Sequence, residues 1–121
     1  MRQLVDAERA SASAANRRRH VRVPFTGRVN LMLETGNGLA TLGGYIIDIS
    51  VSGCALRLYA PAPAHVAGRV QVSIGGRDVW LPIVTRWARS DTRGWTVGAE
   101  FDRPTPEKQE LIARFVRQRL A

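Results

Sequence analysis

Residues 45–58, Tyr-Ile-Ile-Asp-Ile-Ser-Val-Ser-Gly-Cys-Ala-Leu-Arg-Leu, hold two short apolar alternations separated by a Ser/Gly break. Side chains two apart on an extended chain point the same way, so Tyr45, Ile47 and Ile49 share the inner face of one strand and Cys54, Leu56 and Leu58 that of the next. The same period continues in both directions. Val29, Leu31 and Leu33 mark a strand on the N-terminal side. Val70, Val72 and Ile74 mark a fourth; Val79, Leu81 and Ile83 a fifth, running to about Trp87; and Trp95, Val97, Ala99 and Phe101 a sixth. The breaks at GNGLATLGG, YAPAPAHVAG, GGRD and SDTRG are hairpin-sized or slightly longer. Six strands joined in this way are expected to form an antiparallel sheet closed into a small barrel. Pro82, which lacks a backbone donor, is expected at an edge or bulge. After Phe101 the period changes. Thr105-Pro106-Glu107 reads as a helix start, with a hydroxyl cap, a proline in the first turn and an acid near the positive end of the dipole. Leu111, Ile112, Phe115, Val116 and Leu120 then share a helical face that should pack on the barrel rim, with Arg114, Arg117 and Arg119 in water.

The fold class is therefore all-β dominated: a six-stranded antiparallel β-barrel with a C-terminal α-helix. A chain of 121 residues with 45% hydrophobic and 23% charged residues suits one domain with a real core and is too apolar for a disordered chain. No window approaches the ~20 apolar residues of a membrane span, and the N-terminal MRQLVDAERASASAAN lacks the apolar block of a signal peptide, so a cytoplasmic location is expected. Cys54 has no second cysteine to pair with and only His20 and His65 as further soft ligands, so no structural metal is expected. It is read as a small buried hydrophobe, and His20 as an exposed loop residue. The tryptophans Trp80, Trp87 and Trp95 are read as core or rim packing rather than a stacking platform, although an outward Trp80 would mark a partner surface.

The charge is distinctive. Of 18 basic residues 17 are arginine, against 10 acids, for a net charge of +8. A composition bias toward arginine accounts for part of this, but not for its position: Arg17, Arg18, Arg19 and Arg22 cluster directly before the first strand. Taken alone such a run is a solvated face or a general phosphate patch. The second segment of interest is Asp48-Ile49-Ser50-Val51-Ser52-Gly53. With Ile47 and Ile49 inward, Asp48 and Ser50 are expected to project together from the outer face, where a carboxylate and a hydroxyl can accept from guanine N–H groups and bond a sugar or phosphate oxygen. Gly53 would let backbone approach a ligand closely. The same six residues also suit a plain serine turn ending at a hairpin glycine. No Ser-His-acid or Cys-His arrangement, P-loop or acid pair suggests an enzyme.

The order R-x-x-x-R at Arg18 and Arg22, a strand, then D-x-S-x-x-G at Asp48, Ser50 and Gly53 resembles the PilZ domain family. The resemblance runs over about residues 16–118. Val84-Thr85-Arg86-Trp87 and Val97-Gly98-Ala99-Glu100-Phe101 look like the last two strands of a PilZ-type barrel, followed by its helix. It implies a bacterial receptor for the second messenger cyclic di-GMP, with no further cofactor. The expected organisation is a flexible extension over 1–15, an arginine loop over 16–24, a barrel over 25–102 and a helix over 105–120. Arg18 and Arg22 would fork onto guanine O6 and N7, or onto phosphate, and Asp48 would take the complementary guanine edge. Ser50 and the Gly53 backbone would hold the sugar-phosphate ring. Arg17 would cap the outer face of an intercalated pair of ligands, giving two per chain. Ordering of the arginine loop would signal to an effector protein. The competing reading is a sequence-tolerant RNA- or DNA-binding small barrel, favoured by the +8 charge but lacking aromatics interleaved with arginines.

Overall fold

The six strands of this computed structural model, which describes residues 20–121, follow the alternating segments and extend past them. They are β1 (Val23–Thr35), β2 (Gly38–Ile49), β3 (Gly53–Leu58), β4 (Ala67–Ile74), β5 (Arg77–Asp91) and β6 (Gly94–Phe101), with one helix, α1 (Pro106–Leu120). Every strand pairing is antiparallel. The ring closes in the order β1-β2-β3-β6-β5-β4. Arg17, Arg18 and the extension expected over 1–15 lie outside the described residues.

The core is the inward face of this ring. Leu31, Leu33, Leu56, Val70, Ile74 and Val97 are fully buried, as their even spacing dictates. The largest departure from expectation is in β2. The segment GLATLGG is strand rather than loop, and only Gly36 and Asn37 separate β1 from β2. Farther along β2, Ile46 pairs with Leu56 but Asp48 pairs with Ala55, so two residues oppose one. This bulge flips the phase of the strand. Ile46 is buried in place of Tyr45 and Ile47, which are half-exposed, and Ile49 returns to the core.

Pro82 lies not at a bulge but at a point where β5 is strand-paired on one side only. It pairs with Arg69 of β4, and its carbonyl accepts from the Asp102 amide at 2.9 Å, so its missing N–H would have faced the side where β6 has just ended. The strand loses no ladder bond there. The bulge of β5 falls instead between Thr85 and Trp87, opposite Ala99 and Gly98.

Thr105 caps α1, its hydroxyl accepting from the Lys108 amide at 3.3 Å, with Pro106 in the first turn. Ile112, Phe115 and Val116 are buried against the barrel, and the helix packs on β1 and β4. Leu120 does not join them and is exposed, because it is the last residue of the helix. Arg119 is exposed as expected, with its guanidinium 4.8 Å from the Phe115 ring centre and 5.8 Å from that of Phe25. The helix contacts both β1 and β4, whose mutual pairing is short. Their pairing runs only from Asn30↔Gln71 to Leu33↔Gly68.

Candidate functional site

Arg22 leaves the last position before β1, and Asp48 stands near the end of β2, 26 residues away. Pairing of Val23 with Ile49 and Pro24 with Asp48 brings them together. The Arg22 Nη1 donates to Asp48 Oδ1 at 2.7 Å. The side chains are 48% and 29% exposed, so this ion pair contributes only about 0–1 kcal/mol to folding. Its significance is placement: a planar set of donors and a carboxylate are held side by side on the outer wall. Among the described residues, Arg22 uses only one of its five N–H donors here.

Ser50 does not project beside Asp48. It is 1% exposed, because β2 ends at Ile49 and Ser50 opens the turn toward β3. Its Oγ accepts from the amides of Ser52 at 3.1 Å and Gly53 at 3.2 Å, and its own amide donates to the Gly53 carbonyl at 2.8 Å. That is the serine turn, and it fixes the corner between β2 and β3 from which Asp48 is aimed. Gly53 is glycine for contact with β6: a Cβ on it would overlap the Ala99 carbonyl oxygen. Its backbone φ is not in the left-handed region.

Beside Arg22 lies a shallow cavity of about 90 Å³ lined by Ser52, Gly53, Arg86, Trp87, Gly98 and Glu100. The Trp87 ring lies flat across Gly98, where any side chain would strike its indole nitrogen. Trp87 is 39% exposed, and the Arg89 guanidinium sits 4.9 Å from its ring centre. Arg86 Nη2 donates to Glu100 Oε1 at 2.8 Å across the cavity rim. An exposed indole, the guanidinium groups of Arg22 and Arg86 and the Glu100 carboxylate therefore surround one small depression, with Asp48 bonded to Arg22 beside it. Such a surface can stack a flat heteroaromatic ring and hydrogen-bond its edge. The sequence reading assigned Trp87 to packing and left out Arg86 and Glu100. The hairpin register held the signal, since counting outward from Asp91↔Gly94 places Trp87 opposite Gly98.

Cys54 lies behind Asp48 in the core, 1% exposed. Burial pushes its thiol up to about 12 from the usual 9.0, outweighing the nearby Arg22 charge, which favours the thiolate. The unfolded chain therefore releases this proton first as pH rises, and stability falls between about pH 9 and pH 12. Alkylation of native protein near pH 8 should be negligible and should track unfolding; rapid labelling of folded protein would contradict the burial. On a neighbouring stretch of the wall, Asp91 is held below the usual carboxylate range, chiefly by its hydrogen bond from Arg57 and then by the Arg93 amide. Among the described residues no cluster of three or more His, Cys, Asp or Glu could hold a metal ion.

A small antiparallel barrel closed by six strands, with a C-terminal helix and an arginine–aspartate pair and an exposed indole over one strand corner, defines the class of this domain. The chain belongs to the PilZ domain family, whose model matches residues 16–118. Solved structures share the fold at low identity. The Escherichia coli YcgR structure in complex with c-di-GMP superposes with a TM-score of 0.68 at 15% identity, covering 84% of this chain and 45% of that one. The Bacillus subtilis inhibitor of motility MotI/DgrA gives 0.68 at 17%, covering 86% and 51%. The PilZ domain of CeSA from a cellulose-synthesizing bacterium gives 0.61 at 19%, covering 80% and 95%. The chain thus spans about half the length of the first two. No curated protein matches it. Among the described residues no helix is long and apolar enough to cross a membrane.

Proposed function

We propose that this chain is a non-enzymatic receptor for cyclic di-GMP. The observation that carries the reading is the Arg22–Asp48 pair, joined at 2.7 Å beside the cavity that Trp87 overhangs. One guanidinium offers a fork to guanine O6 and N7 or to phosphate, and the neighbouring carboxylate offers acceptors to guanine N1–H and the exocyclic amine. Arg18 and Arg17 add donors from the preceding segment, Arg17 capping the outer base of a stacked ligand pair. Ser50 and Gly53 act on the sugar-phosphate ring through the turn they build. Closure of the arginine segment over the ligand then presents a new surface to an effector protein in the cytoplasm. Membership in a family with a c-di-GMP-bound member supports this assignment.

Calorimetric titration of the chain with cyclic di-GMP should give binding in the micromolar range or tighter, about −8 kcal/mol. Two ligands per chain are expected at saturation, with Arg17→Leu lowering the ratio toward one. A ligand with two phosphates should lose less than about tenfold in affinity between 50 and 200 mM salt, whereas a protein neutralising six to ten duplex phosphates loses about 10³- to 10⁵-fold. Tight, steeply salt-dependent binding to generic DNA or RNA without response to the dinucleotide would favour the nucleic-acid-binding barrel instead.

A further inference from the structure

A second depression, sharing no residue with the first, lies where β1 and β4 diverge. It has a volume of about 430 Å³, within the roughly 300–1,000 Å³ of small-molecule clefts. Beyond Asn30↔Gln71 the two strands no longer pair, and Arg28, Val29, Val72 and Ser73 of that unpaired stretch line it. Its floor includes Gly43, which presents no side chain. The Tyr59 ring sits beside that glycine, 3.7 Å from where a Cβ would be, and is 75% exposed. Asn30 Nδ2 donates to Gln71 Oε1 at 3.0 Å. That pair leaves an acceptor, Asn30 Oδ1, and a donor amine on Gln71 next to each other. Arg28 and Asp78 complete the lining with one charge of each sign.

From this arrangement we infer a binding site for a neutral sugar ring. An exposed phenol ring offers an apolar plane to the C–H face of a pyranose, while adjacent amide donor and acceptor groups match neighbouring hydroxyls. The charge balance selects among polar ligands. On a chain of net charge +8 a groove for phosphate or uronate would be expected to hold surplus arginine, yet Arg28 is offset by Asp78. The site is independent of the cyclic di-GMP reading.

The test is a titration of the isotope-labelled full chain, followed by amide proton–nitrogen correlation spectra, with maltose, cellobiose and N,N′-diacetylchitobiose. Adenosine and glucuronate serve as comparators. At least one disaccharide should shift the Gly43 and Gly44 amides with a dissociation constant of about 1 mM. Tyr59→Ala, at a position too exposed to affect folding, should weaken that binding about fivefold or more. Arg22→Ala should leave it unchanged, which separates this result from any failure of cyclic di-GMP binding. The inference is overturned by the absence of shifts with every disaccharide up to about 20 mM, far above the expected constant. Tighter binding of adenosine or glucuronate, or wild-type sugar affinity in Tyr59→Ala, also overturns it.

Discussion

Gly53→Ala should destabilise the barrel by about 3 kcal/mol, because the new methyl group would meet backbone rather than a side chain that could swing away. Gly53 pairs with Glu100, and its missing Cβ points at the Ala99 carbonyl oxygen. Relief requires β3 and β6 to separate locally, at the corner where the Ser50 turn and the Phe101 amide bond to the Ser52 carbonyl, 2.9 Å, also meet. For a domain near 100 residues that loss corresponds to a melting temperature lower by roughly 10–20 °C. Gly27→Ala is the control. It has open space around it and no positive φ, so it should change stability by less than about 1 kcal/mol. A Gly53→Ala melting curve within about 2 °C of wild type would show that the strands have room to spare, against the overpacking argument.

Arg22→Ala should have the opposite profile, leaving the fold intact and removing ligand affinity. The ion pair to Asp48 is half in water and contributes at most about 1 kcal/mol to folding, so thermal stability should scarcely move. Cyclic di-GMP affinity should fall by about 1.5 kcal/mol or more, at least roughly tenfold, since a charged multidentate contact is lost. Asp48→Ala should fall by a similar amount. Arg22→Lys is the sharper variant: it keeps the charge and discards the planar fork, and it too should bind poorly. Calorimetry showing near wild-type affinity for the lysine variant would sink the geometric argument for bidentate recognition. If both substitutions instead lowered the melting temperature as Gly53→Ala does, the pair would belong to the frame rather than to the site.

The strands were legible because the core of a small barrel imposes a strict two-residue period. Leu31, Leu33, Val70, Val72, Leu81, Ile83 and Val97 all occupy the inner face that the alternation assigns. The reading failed where the period breaks. Nothing in Tyr45-Ile46-Ile47 says which isoleucine is inside, since a bulge is decided by the partner strand and not by the bulged residues. Ser50 was misplaced for a different reason: β2 ends at Ile49, so strand alternation no longer applies to the residue after it. The glycine-rich GLATLGG looked like a loop by composition, yet it is strand: the Gly44 Cβ position is filled by the Arg57 carbonyl, so glycine there marks close strand approach. Arg22 and Asp48 were legible as a candidate pair because residue type and order sufficed to single them out, and the strand pairing does bring them together. Trp87 and Gly98 were not, because their meaning lies in being opposite one another, which requires the β5–β6 register.

Ring closure limits how such a module can communicate. With every strand of the closed ring flanked by two neighbours, none is an edge strand onto which a neighbouring chain could add along its whole length, although β1 and β4 pair only from Asn30↔Gln71 to Leu33↔Gly68. Nor can one strand slide along its neighbour without turning the buried leucines and valines outward. The wall is therefore an anvil and not a spring. On the receptor reading proposed above, a change driven by a bound molecule is expected outside the ring rather than within it, and a partner is expected to recognise side chains on the wall.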